Sequence, residues 1–228
     1  MKRAFPILAI LTALLLSYAL RGALITAPTD QMQGDVYRII YYHVPSAWTA
    51  FLLFFINFVA SILYLVRPSQ RADAVALVAA EVGVVFCTVV LVTGPIWARP
   101  VWGIWWAPGD IRLTSTLVMW LIYVSYLVLR RFSNSSQTAK LAAALAIFGA
   151  LDIPLVYFSI WFFRTQHPQP VIGGGGSIDP RMLHVLLINW LAFLCFAGLV
   201  FWSRYRLEIL QRQLQETQAA EALIESRG

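Results

Sequence analysis

The stretch Ala74-Val-Ala-Leu-Val-Ala-Ala-Glu81-Val-Gly-Val-Val-Phe-Cys87-Thr-Val-Val-Leu-Val-Thr-Gly-Pro-Ile96 runs directly into Trp97-Ala-Arg99-Pro-Val-Trp102-Gly-Ile-Trp105-Trp106-Ala-Pro-Gly-Asp110-Ile-Arg112-Leu-Thr114. The first part is apolar for long enough to cross a hydrocarbon core of about 30 Å as a helix. The second part holds four of the nine Trp of the chain within ten positions, beside Pro, Gly, Arg and Asp. Trp favours the membrane–water boundary, where the ring is buried and its N–H stays wet. Four together exceed what anchoring needs, and they read as a platform for a large flat apolar ligand.

Five more apolar runs flank this one. The expected spans are 6–23, 44–66, 74–96, 115–132, 141–163 and 183–203, with an outward Trp-rich loop at 97–114 and a tail at 204–228. The fold class is therefore an all-α membrane bundle of six transmembrane helices in one integral membrane domain, residues 1–228. The composition agrees: 60% of the 228 residues are hydrophobic and only 12% charged, about half the charge of a soluble domain. The first run follows Met1-Lys2-Arg3 but ends at Arg21 without a clear small-x-small site, so it reads as a retained helix rather than a signal peptide. In the tail, Leu207, Leu210 and Leu214 stand at helical spacing, the pattern of an amphipathic extension.

Six spans place both termini on one side. That side holds Lys2, Arg3, Arg67, Arg71, Arg130, Arg131, Lys140, Arg204, Arg206, Arg212 and Arg227; the other holds Arg21, Arg38, Arg99, Arg112, Arg164 and Arg181. Eleven against six makes the side of the termini cytoplasmic. The bases sit at span ends, so the net charge of +6 reflects orientation in membrane lipid and not nucleic-acid binding. The Trp segment then faces outward.

All three histidines fall on that outward side. His43 precedes the second span, with Pro45 expected in the first helical turn; His167 lies between the fifth and sixth spans; His184 starts the sixth. Each alone reads as a polar boundary residue. Together, beside the indoles, they suit a haem, whose iron takes two imidazoles from distant parts of a chain. Zinc competes, but its sites usually draw four ligands with some at short local spacing. Arg99 and Arg112 match propionate carboxylates. Asp110 is placed to orient Arg112 or a Trp N–H; a plain Asp110–Arg112 ion pair is the alternative.

Cys87 and Cys195 read as buried small apolar residues, with no metal or redox spacing. Glu81 and Asp152 are intramembrane carboxylates; a proton relay competes with a protonated acid bonded to a neighbouring helix. Pro154, just after Asp152, is expected to break the fifth span. Gly173–Gly176 reads as a flexible outer loop; no Lys-Ser/Thr pair follows it, so it is no phosphate loop.

These residues resemble a known family. The segment Trp97–Thr114 is similar to the tryptophan-rich signature of the haem-handling membrane proteins of cytochrome c maturation, and the six-span length resembles the CcmC branch, haem exporter protein C. Supporting stretches are Tyr37–Trp48, Leu91–Trp97, Asp152–Ser159 and Ser177–Pro180, and the likeness covers about Asp35 to Trp202. The resemblance implies that His43 and His167 are axial ligands of haem b iron. It implies that Trp97, Trp102, Trp105, Trp106, Asp110 and Arg112 form the haem platform. His184 has no counterpart in the family pattern. The chain departs from that pattern at Trp105-Trp106-Ala-Pro-Gly-Asp110, where a third Trp is absent and one residue is inserted.

The implied function is a non-enzymatic chaperone of the bacterial inner membrane. It would hold haem at the periplasmic face and deliver it to a CcmE-type carrier. A CcmD-like small membrane protein and a CcmA/CcmB-type ABC transporter are the implied partners, the latter supplying the ATPase that this chain lacks. Two rival readings are a transporter moving haem across the bilayer and a membrane b-type haem quinone oxidoreductase. The first needs a polar path, for which Glu81 and Asp152 are the hints. The second wants paired histidines in the middles of spans, which hold none.

Overall fold

The computed structural model describes residues 4–132, 135–163, 165–170, 172 and 177–226. Lys2, Arg3, Arg164, Arg227 and the Gly173–Gly176 loop lie outside the described residues. Among those described, the chain is helical with no named strand: α1 (Ala4–Arg21), α2 (Ile40–Val66), α3 (Gln70–Trp102), α4 (Ile111–Phe132), α5 (Ser136–Ala150), α6 (Asp152–Phe162) and α7 (Pro180–Glu225). Six helical stretches are long and apolar enough to cross a membrane, with α5 and α6 together making one of them.

Two boundaries move in ways that bear on the site, and the break expected at Pro154 is present. The second helix begins before Val44, because a 3-10 turn over Asp35–Ile39 feeds directly into α2. Gly34, at φ +61°, lets the chain turn into that segment, and Arg38 closes it on Asp35 at 2.8 Å. Pro45 therefore lies inside α2, and His43 stands on the helix instead of before it. The third helix continues through Pro95 and Pro100 to Trp102, so the first third of the expected loop is helical. It stops at Gly103, whose φ of +77° is the left-handed cap that residues with a Cβ resist, and whose N–H returns to the Arg99 carbonyl. The fifth span breaks at Leu151. Pro154 has no N–H for the Ala150 carbonyl, and its ring crowds that oxygen.

The bundle centres on α2 and α3. Ala76, Ala79 and Ala80 are buried on α3, and small residues let helix backbones approach closely. Gly83 takes this furthest. A Cβ there would lie 2.7 Å from Phe54 of α2, and the Phe54 ring is stacked on Tyr123 of α4 with centroids 3.8 Å apart. The ring cannot withdraw without breaking the three-helix contact. Gly83→Ala is expected to cost about 1–3 kcal/mol by overpacking. An unchanged midpoint of unfolding in mixed detergent micelles would refute this.

At the end of the bundle opposite the Trp segment, charges are paired. Asp73 Oδ2 takes Arg130 Nη2 at 2.6 Å and Arg212 Nη2 at 2.8 Å. Glu208 bridges Arg204 and Arg212, and Arg204 Nε reaches Glu81 Oε2 at 2.8 Å. Glu81 thus has the basic partner that its depth in the sequence did not suggest. That partner is in reach because α7 continues without a break past the apolar run, carrying Arg204 and Arg212 on the face turned to α3. Leu207, Leu210 and Leu214 stay exposed on α7.

Candidate haem-binding cleft

A cavity of about 550 Å³ opens between α2, α3, α4, α6 and α7 at the Trp-segment end. It falls in the usual range for small-molecule and cofactor sites, about 300–1,000 Å³. His43, Ala47 and Ala50 line it from one face of α2, spaced by helical turns; Val90, Gly94 and Trp97 line it from α3. Gly94 lies beside His43: a Cβ there would stand in ordinary van der Waals contact with the imidazole, at 3.5 Å. Trp97 and Trp102 pack edge to face, with centroids 4.9 Å apart. Trp97 Nε1 donates to Gln33 Oε1 at 2.8 Å, which fixes the indole from the α1–α2 connection. Trp48 and Trp190 form a second edge-to-face pair in the cavity wall, at 5.0 Å.

The two histidines meet in this cavity. Their ring centroids are 6.3 Å apart with planes tilted by 32°. Two imidazoles that share one metal through bonds of about 2 Å hold their centroids about 6 Å apart. Both tautomers follow from the hydrogen bonds. Thr93 Oγ1 donates its proton to the Val89 carbonyl at 2.7 Å, so at 2.9 Å it accepts from His43 Nδ1–H. The Pro168 carbonyl, 3.0 Å from His167 Nδ1, can only accept. Each ring therefore carries its proton on Nδ1 and keeps an unprotonated Nε2, the lone pair that a metal needs.

Burial, and secondarily the charge of Arg112, pushes the His167 imidazole down from 6.5 to about 4. A lowered value means that protons compete for Nε2 only in strong acid. Haem affinity is expected to stay level from about pH 8 to pH 5.5 and to fall below about pH 4.5. A titration with its midpoint near 6.5 would contradict this.

Of the residues singled out in the sequence, His43, His167, Trp97, Trp102, Trp106 and Arg112 line this one cavity. Arg112 Nη1 is buried there and has no partner among the described residues, a donor available to an anionic group. Four candidates are placed elsewhere. Trp105 is 59% exposed, outside the lining. Arg99 curls back on its own helix end and donates to the Gly103 carbonyl. Asp110 is buried behind the lining and bonds backbone N–H groups, and among the described residues no ion pair joins it to Arg112. His184 is exposed on α7, away from the cavity. The structure adds Thr93, Gln33, Trp48, Tyr157 and Trp190. Thr93 carried a signal: it stands one turn before Trp97 on α3, on the cavity face.

The donor set fits a flat macrocycle better than a bare cation. Among the described residues no group of three or more His, Cys, Asp or Glu is placed to hold a metal ion. Two imidazoles alone would leave a metal ion short of ligands, so the others would have to come with the cargo. Indoles on both sides and an unpartnered guanidinium suit a porphyrin with carboxylate arms.

Fold and cleft together define a class: a polytopic helical membrane protein with two neighbouring imidazoles in an aromatic cavity at one end of its bundle. Residues 1–220 match the family model described as CcmC, Heme exporter protein C. A Heme exporter protein C of Bradyrhizobium diazoefficiens is 35% identical, over 96% of this chain and 84% of its own length. Heme exporter protein C of Escherichia coli K12 is 33% identical, over 87% and 80%. A putative cytochrome c biosynthesis ccmC-like mitochondrial protein of Marchantia polymorpha is 34% identical, over 83% and 81%. The chain belongs to the Heme exporter protein C family. It is thus a non-enzymatic, multi-pass membrane component of haem handling in cytochrome c maturation.

Proposed function

We propose that this protein is a haem chaperone that holds haem b at the outer face of the bacterial inner membrane and passes it to a CcmE-type carrier. The observation that carries this reading is the pairing of His43 and His167 across 6.3 Å inside an aromatic cavity at one end of the bundle. His43 and His167 would hold the iron from either side. Trp97, Trp102 and Trp106 would cover the macrocycle, and Arg112 would meet a propionate. Bound haem supplies the redox-active iron; the chain supplies orientation, burial and two neutral donors.

The excess of Lys and Arg on the side of the termini supports an outward-facing cleft. Holding rather than transporting is supported by the opposite end of the bundle, where Glu81 is committed to Arg204 and Asp73 to Arg130 and Arg212. A polar path for haem would have to break these pairs. A CcmD-like small membrane protein and a CcmA/CcmB-type ABC transporter complete the proposed assembly, with ATP hydrolysed by the transporter.

The test is a transfer assay in proteoliposomes. Haem-loaded protein, with the soluble domain of a CcmE-type carrier outside, is expected to pass haem to that carrier without nucleotide while the lumen stays haem-free. Haem appearing in the lumen would establish transport instead.

A further inference from the structure

Asp110 is 4% exposed and does not line the cavity, yet it touches two elements that do, the start of α4 and the connection bearing His167. Its Oδ1 accepts from the Leu113 N–H at 3.1 Å, capping the N-terminus of α4 one residue beyond Arg112. Its Oδ2 accepts from the Gln166 N–H at 2.8 Å, the residue next to His167. The turn that carries Asp110 is itself closed. Its own N–H donates to the Ala107 carbonyl at 3.0 Å, and Thr114 Oγ1 donates to the Pro108 carbonyl at 2.9 Å. Trp106 stands immediately before that turn.

The other hydrogen bonds of the described part of the connection bearing His167 are local. The His167 N–H goes to Thr165 Oγ1 and its Nδ1–H to the Pro168 carbonyl, both within the connection. Among the described residues, the Asp110–Gln166 bond is the one hydrogen bond that ties 165–170 to the rest of the bundle. A carboxylate suits this place, because it accepts through two oxygens at once. At a helix N-terminus its charge is also favourable.

We propose that Asp110 is a positioning residue, a clasp that fastens the His167-bearing connection to the start of α4 and so sets the imidazole across the cavity from His43. It acts through His167 and touches no cargo. Without the clasp, ordering of the connection would have to occur during binding and would weaken it. The proposal rests on the haem-site reading above for its consequence, but its structural core does not depend on haem.

Two measurements test it separately. In haem-free protein in micelles, Asp110→Ala is expected to raise amide hydrogen exchange in the peptide spanning 165–170, while α2 and α3 exchange as before. In haem titrations, Asp110→Ala is expected to bind about 10–100-fold more weakly, the range for losing the support of a metal ligand. Ferric haem should shift from low-spin to high-spin, and added free imidazole should restore the low-spin spectrum. Asp110→Asn is close in shape and keeps one acceptor oxygen; it covers the case in which the alanine variant does not fold, with the same changes to a smaller extent. Unchanged exchange at 165–170 in the folded variants overturns the clasp. So does low-spin haem held with wild-type affinity, or a defect that imidazole does not repair. If His43→Ala and His167→Ala bind haem normally, the haem-site reading has failed, and the exchange data still decide the clasp.

Discussion

Replacement of His43 or of His167 by alanine is expected to lower haem affinity on the order of 100-fold or more, while His184→Ala leaves it unchanged. The two rings share one cavity at 6.3 Å, each with its proton on Nδ1 and its Nε2 free. Loss of either would leave a bound iron with one protein ligand and a gap of imidazole size in the wall. His184 also lies on the side opposite the termini, but it is exposed on α7 and not part of the cavity. The ranking is read by titrating haem into detergent-purified variants and following the Soret band. The single-site variants should show high-spin haem that free imidazole converts to low-spin. Equal affinity in all three variants would refute the assignment.

The second large effect concerns folding. Asp73→Ala is expected to destabilise the bundle by about 3–5 kcal/mol, the cost of leaving buried charge without its partner. Asp73 Oδ2 serves two cations, and one of them, Arg130, is 7% exposed with Nε and Nη1 already unpartnered. Removing the carboxylate strands that buried guanidinium and takes from the α7 extension one of its ties to α3, leaving Arg212 the Gln70 carbonyl. Replacing both members of the buried pair, as Asp73→Leu with Arg130→Met, should cost far less, because no stranded charge remains. Equilibrium unfolding in mixed micelles measures both. A single variant as stable as the wild type would show that the pair is solvated in the bilayer-embedded protein.

The six spans were legible because an apolar run of this length has few other uses, and Pro154 announced the break before Asp152. The helix ends were less legible. The third span was expected to end at Ile96, yet α3 passes through Pro95 and Pro100 and ends at Gly103, where a left-handed cap is available. That error put Trp97 and Trp102 on a loop, whereas a helix holds them at fixed separation. His43 and His167 could be brought together on paper by topology alone, since each falls at the same end of a six-span bundle. What holds them could not. Thr93 acts through a hydroxyl whose proton is committed to its own helix, and Asp110 through a backbone N–H 56 positions away. The Asp110 bond leaves no trace in hydropathy or spacing, and Thr93 leaves only its place one turn before Trp97. Glu81 looked unpartnered for a related reason: Arg204 seemed to mark the end of a span, and only an unbroken α7 brings it alongside.

The most direct measurement is electron paramagnetic resonance of the ferric haem-loaded protein grown with 15N-histidine. The predicted result is a low-spin signal coupled to nitrogens of two imidazoles, replaced in His43→Ala and in His167→Ala by a high-spin signal coupled to one. A wild-type signal coupled to one imidazole or to none would contradict the shared site.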